Sequence, residues 1–218
     1  MSSPIHLPNY RQIPKPSSKE KYFKLKVKEL RPTQICIGLS EVLSRKEEFS
    51  KENKNQRLDY LYRKPVPIVS NQKNDLWMLD RHHRLRALIE LDNETEAYGY
   101  LVAKVDSSNN EDVLNFLSQQ GWLYLFNSRG IGPQLPASLP ENLLKMQDDP
   151  YRSLVWRLKK DGLISPQPLI PYHEFRWSSW LRSRSLPPFN SKNLAPALTV
   201  ARALASSQAA SHLAGWKK

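Results

Sequence analysis

LWMLDRHHRLRALIEL, residues 76–91, changes its period halfway along. LWML is a short apolar run of the kind that buried strands use, whereas Leu85, Leu88 and Ile89 recur at helical spacing. The stretch therefore reads as a strand running straight into a helix, with Asp80, Arg81, His82, His83 and Arg84 at the seam. A helix N-terminus presents unpaired N–H groups and the positive end of its dipole, so this seam attracts an anion before any side chain is counted. Asp80 suits the N-cap, and Arg84 falls in the first turn, where a guanidinium can grip phosphate oxygens in pairs. The two histidines add groups that are neutral or charged near pH 7. Two plainer readings stay open. The arginines can form a solvated helix face with the histidines as capping or packing groups. Asp80, His82 and His83 can also be metal ligands, although adjacent residues converge on one ion poorly.

Outward from the seam, VPIV (66–69) and LWML flank the polar turn SNQKND, and together they predict a hairpin. YGYLVAKV (98–105) predicts another strand. FKLKVKEL (23–30) alternates apolar and basic residues with the period of a half-exposed strand, which Pro32 is expected to end. Residues 40–57 predict one charged surface helix, and NEDVLNFLSQQG a helix stopped by Gly121. The second half is more helical, through ENLLKM, DPYRSLVWRLKKDG, HEFRWSSWLRSR and LAPALTVARALASSQAASHLAGW. Residues 1–21 carry four prolines among polar residues and predict a flexible basic arm.

At 218 residues the chain has room for one principal core. Its net charge of +12 favours polyanions as partners, nucleic acid and nucleotides among them, without choosing between them. No stretch approaches the roughly 20 apolar residues of a membrane-spanning helix. The single cysteine, Cys36, excludes an intramolecular disulfide, and its apolar setting in ICIGL predicts a buried thiol rather than a nucleophile. A cytoplasmic location is the default expectation, and the oligomeric state is not legible.

Several motifs in order carry a resemblance. LWMLDRHHRLRALIE is similar to the strand, D-G-H-H-R loop and helix of the ParB/sulfiredoxin superfamily, in particular its ParB-like nuclease branch. LRPTQICIGLSEV (30–42), LLKMQDDPYRSLVWRLKKDG (143–162), HEFRWSSWLRSR (173–184) and ASHLAGW resemble further signatures of that branch. The resemblance implies an α+β fold: a small mixed-sheet ParB/sulfiredoxin-like domain over 22–125, with a helical C-terminal extension over 126–218 packed on it. It also implies that the loop binds nucleotide phosphates. Two departures stand out. Arg81 occupies a position where the family usually has glycine, and His82 stands where sulfiredoxin chemistry would need a cysteine, which argues against that repair reaction.

From resemblance and residue type together, the expected phosphate ligands are Asp80, Arg81, His82, His83 and Arg84, with Glu41, His82 and His83 as catalytic residues. Glu41 falls in the G-x-x-E motif, where a general base and a helix-dipole partner are equally good readings. Lys46, Arg31 and Gln34 are weaker candidates. RGIGP (129–133) reads as a turn, Asp148 and Asp149 as part of a helix cap, and Trp177 with Trp180 as core packing. The expected function is binding of a nucleotide or other phosphate-bearing substrate at the Asp80–Arg84 loop. Phosphoryl transfer or nuclease chemistry would follow, with Mg²⁺ accompanying a nucleotide. The alternative is a non-catalytic DNA-binding or interaction module, whose affinity would fall steeply with salt.

Overall fold

In the computed structural model, which describes residues 11–17, 21–167 and 172–217, the hairpin forms as its apolar runs predict. Strand β4 (Val66–Ser70) pairs antiparallel with β5 (Leu76–Met78). All five residues of β4 are buried, as befits a strand covered on both faces. Strand β6 (Glu96–Lys104) lies parallel on its other side. Strand β1 (Phe23–Lys26) closes one edge antiparallel to β6, and β2 (Leu30–Pro32) closes the other parallel to β5. The mixed sheet runs β1-β6-β4-β5-β2.

FKLKVKEL is thus two strands at opposite edges rather than one. A period of two would bury Glu29 beside Val27. Instead a 3-10 turn over Val27–Glu29 places Val27 and Leu30 inward at i, i+3 spacing, and both are buried. Pro32 does not end the pairing; it sits in edge strand β2, where a missing donor is tolerated.

The expected single helix over 40–57 is also two, α1 (Leu39–Ser50) and α2 (Lys54–Arg63). Asn53 and Gln56 form a reciprocal capping box, with 3.0 Å and 2.9 Å bonds, that starts α2 afresh. Helix α3 (His82–Ile89) follows β5, and α4 (Asn110–Gln119) ends before Gly121 at φ +70°. ENLLKM makes only a 3-10 turn, Leu143–Lys145, whose Leu143 carbonyl accepts a hydrogen bond from Arg86.

Helices α5 (Pro150–Lys160), α6 (His173–Arg182) and α7 (Ala195–Ser206) build the second half. They share a core of Leu154, Leu158, Trp177, Leu181 and Ala201. Trp177 and Trp180 pack there edge to face, so their spacing is a packing signal. A second core lies between the sheet and helices α1 and α3, and includes Leu30, Val42, Ile68, Leu85 and Leu88. The halves are stitched by a two-stranded parallel ladder of β3 (Cys36–Ile37) and β7 (Gln147–Asp148), and by Tyr124 stacked on Phe175 with centroids 3.6 Å apart.

Within the stretch expected to be a free arm, residues 11–17 are held down. Arg11 donates to Gln120 O, Trp122 donates through Nε1 to Arg11 O, and the Tyr100 hydroxyl donates to Pro14 O. The remainder of that expectation, over 1–10 and 18–20, lies outside the described residues. Among the described residues no helix is long and apolar enough to cross a membrane.

Candidate functional site

The seam is built from three segments that meet at the start of α3. Asp80 is not its N-cap. That position belongs to Arg81, which adopts left-handed backbone at φ +79° and ψ 11°. This conformation costs an L-residue other than glycine about 1–2 kcal/mol. Asp80 folds back to hold Arg81 in it, accepting from its backbone N–H and from its guanidinium Nη1, both at 2.7 Å. No side chain caps α3, which leaves the first-turn N–H groups for another acceptor.

His82 and His83 turn inward and act as clamps. Thr33 of the L-R-P-T-Q motif donates its backbone N–H to His82 Nε2 at 3.4 Å, while its hydroxyl donates to Met78 O. Gly38 donates its N–H to His83 Nε2 at 3.1 Å. A neutral imidazole that accepts through Nε2 carries its proton on Nδ1. Both rings are held neutral: burial pushes His82 down to about 3, and burial lowers His83 against the opposing pull of Glu41.

Glu41 comes from the first turn of α1 and is buried beside His83. Its Oε1 accepts from both Nε and Nη2 of Arg45, at 2.9 Å and 2.7 Å, and its Oε2 lies 3.6 Å from His83 Nε2. Burial pushes this carboxyl up, but His83 and Arg45 outweigh it and keep Glu41 below the usual carboxylate range. Since the ring is itself neutral, the Arg45 guanidinium is the partner that holds the charge. Arg84 lies 5.4 Å over the Tyr60 ring. Burial, with Arg45 and Arg81 nearby, lowers its pKa, opposed by Tyr60 and Asp80. Buried nitrogens on two of these guanidiniums, Arg81 Nε and Arg84 Nη1, have no hydrogen-bond partner.

Residues from the second half fix α1. Asp148 accepts the Leu39 N–H at 3.1 Å and Ser153 Oγ accepts the Ser40 N–H at 3.0 Å, so α1 is capped from far along the chain. Ser191 Oγ donates to Asp148 and bonds Ser153, completing the cap. Gly38 lets these segments touch: a Cβ there would stand 2.9 Å from Ser153 N and 3.0 Å from Arg152 C. Arg152 is buried, stacked over Phe175 at 4.1 Å and paired with Glu174 at 2.7 Å. Burial pushes the Glu174 carboxyl up, but Arg152 and Lys159 overcome this and drive it well below its usual range.

Of the expected site residues, the structure brings Glu41, Arg81, His82, His83 and Arg84 around one seam, with Asp80 as the backbone clamp of Arg81. Arg31 is engaged elsewhere, with Asp75 and over Trp77. Gln34 bonds Cys36 O, and Lys46 pairs with Glu90. Asp149 caps α5 through Tyr151 N and accepts from Arg182, and the Gly130 turn of RGIGP lies against that same guanidinium. Cys36 is buried, and burial raises its thiol. Sequence reasoning missed Arg45, although its i, i+4 spacing from Glu41 was a usable signal. It also missed Thr33, although the L-R-P-T-Q motif contains it, and Tyr60, which no local pattern marks. Among the described residues no three His, Cys, Asp or Glu side chains gather to hold a metal. Asp80, His82 and His83 in particular face separate partners.

No match is found among curated proteins. A crystal structure of a protein from Agrobacterium tumefaciens superposes with a TM-score of 0.79 at 28% identity, covering 90% of this chain and 98% of that one. The family described as Putative ParB-like nuclease matches residues 23–183, which includes the L-R-P-T-Q strand, the His82-His83 seam and both helices that brace it. The chain therefore belongs to the ParB-like nuclease family.

Proposed function

We propose that the start of α3 binds a phosphate group of a nucleotide or nucleic acid and that Glu41 with His83 serves phosphoryl transfer or hydrolysis there. The observation that carries the reading is an uncapped helix N-terminus flanked by Arg45, Arg81 and Arg84, with unpartnered guanidinium nitrogens on the last two. Backbone N–H groups and fixed guanidiniums at one point are what a phosphate requires. Glu41 Oε2 lies 3.6 Å from His83 Nε2, whose lone pair is taken by the Gly38 N–H, so the carboxylate oxygen is the open acceptor of the two and the neutral ring positions it. A water or hydroxyl attacking phosphorus would lose its proton to Glu41 Oε2 as the bond to the leaving oxygen breaks, while the arginines stabilise the charge on the phosphoryl oxygens. Mg²⁺ arriving with a nucleotide would neutralise phosphate charge. The described residues offer it no cage of their own, and the proton transfer uses side chains alone.

Thermal-shift titration with ATP, ADP, CTP and GTP, each with and without Mg²⁺, tests the reading. At about 100 Kd a ligand adds roughly 2.7 kcal/mol of stability. That gain should vanish in Arg84→Ala and His83→Ala. Absence of any shift would sink nucleotide binding. The net charge of +12 would then favour the second reading, DNA binding without turnover, whose mark is affinity falling steeply between 50 and 200 mM salt.

A further inference from the structure

At the other end of α3, about 10 Å along its axis from the seam, a cleft of about 270 Å³ opens between α2 and the loop that joins α3 to β6. Its apolar lining is the half-buried Leu58 together with the edges of Leu61 and Leu88, which are otherwise buried in the core. One wall is basic: Lys54 and Arg57 project from α2, and Arg57 Nε is buried without a hydrogen-bond partner. The facing wall carries Asp92, Glu94 and Glu96 with Lys26 among them, a net charge of −2. Opposite charges this close would normally close on each other. Here Glu94 pairs with Lys28, Glu96 with Lys24 and Lys26 with Glu29, all on the same side, and among the described residues no ion pair crosses the cleft. The Asp92 carboxylate accepts the Glu94 backbone N–H and has no ion pair among the described residues.

We propose that this cleft binds a small zwitterion with an aliphatic body, of the chemical class of a free aliphatic α-amino acid. Its carboxylate meets Arg57 and Lys54, its ammonium meets Asp92, and its side chain lies against the leucines. Glu94 and Glu96 are neutralised by their own lysines, whereas Asp92, Lys54 and Arg57 have no ion pair among the described residues, so each end of the ligand meets a group without a counter-charge and its aliphatic body meets the leucines between them. A cleft of this volume suits a ligand of amino-acid size and leaves little room for a nucleotide. The proposal is independent of the phosphate reading, because it uses no residue of the seam.

L-leucine is the probe, followed by thermal shift and by the methyl resonances of Leu58 and Leu88. Saturable stabilisation, on the order of a few degrees, is expected. It should be lost with N-acetyl-leucine, which lacks the ammonium, and with leucinamide, which lacks the carboxylate. Leucyl-leucine distinguishes a free amino acid from a short peptide as the source of the same chemistry. Asp92→Asn is isosteric and Arg57→Gln removes the charge while keeping a polar amide donor, and each should weaken leucine binding at least tenfold. No response to leucine or leucyl-leucine, or a response that survives in both variants, would overturn the assignment.

Discussion

Two helix starts face each other across the seam, and they are finished in opposite ways. Helix α1 begins at Gly38, which has no side chain to cap it, yet its first N–H groups are satisfied by Asp148 and Ser153 from more than a hundred residues away. Helix α3 begins at a strained Arg81 and is capped by nothing. The first start already contains its carboxylate. The second has Arg45, Arg81 and Arg84 around it, and the two carboxylates nearby, Asp80 and Glu41, are each bound to one of these arginines. The contrast teaches that the second half of the chain fixes α1, and with it Glu41, while the first N–H groups of α3 are left without a side-chain cap.

The largest expected effect follows from cutting the brace. Arg152→Ala removes a buried cation from Glu174 and leaves that carboxylate with Lys159 alone, so stability should fall by about 3 kcal/mol in urea denaturation. A loss under about 1 kcal/mol would mean that Lys159 alone satisfies Glu174 and that the α5–α6 pair does not stiffen the brace. The histidine clamps come next and read out through pH. His82, His83 and His173 all have folded pKa values below the ordinary 6.5, with His173 pushed to about 4 by burial. The unfolded chain therefore binds more protons than the folded one below pH 6.5. Stability should be fully present above that pH and decline as pH falls towards 4. Each such group contributes a slope of up to about 1.4 kcal/mol per pH unit. His82→Asn should remove one proton from this slope, as measured by denaturation at pH 7, 6 and 5. An unchanged slope would show His82 to be solvated.

Asp148→Ala tests the cap of α1 directly. Loss of a side-chain cap costs about 1–2 kcal/mol. The sharper observation is that the emptied α1 terminus should then gain affinity for inorganic phosphate or sulfate, which the native protein should bind at α3 alone. Chemical-shift mapping of the Leu39 and Ser40 amides distinguishes the two helix starts. If these amides stay silent in the variant, the built-in carboxylate is not what separates them.

This contrast was only half legible in the sequence. The change of period at 76–91 placed β5, α3 and the seam, because a strand and a helix each write their burial locally. The hairpin and the cap by Asp149 were readable for the same reason. The 3-10 turn at Val27 was not, since FKLKVKEL alternates well enough for one strand, and only the burial of Leu30 beside Val27 decides against it. The capping box of Asn53 and Gln56 was visible as N-x-x-Q inside a run whose charge suggested one helix. Asp80 satisfies every local rule for an N-cap, but Arg81 takes a left-handed position, the kind that suits glycine, and the carboxylate holds it there. The remote cap of α1 could not be read at all, because nothing near residue 39 records that Asp148 and Ser153 will meet it.

The smallest expected effect is the most discriminating. Arg81→Gly relieves left-handed strain of about 1–2 kcal/mol, while the partly exposed ion pair with Asp80 that it removes is worth less than about 1 kcal/mol. Stability should therefore rise slightly, by up to about 1 kcal/mol. Anion affinity at α3 separates two roles for this residue. If Arg81 contributes a charge-assisted bond to the ligand, affinity should fall about tenfold even as the protein becomes more stable. If instead the guanidinium stays folded onto Asp80 and crowds the helix start, removing it should strengthen binding. The first outcome makes the strain at φ +79° a cost carried for recognition; the second makes Arg81 a plug, and α3 an anion site that this chain has partly closed.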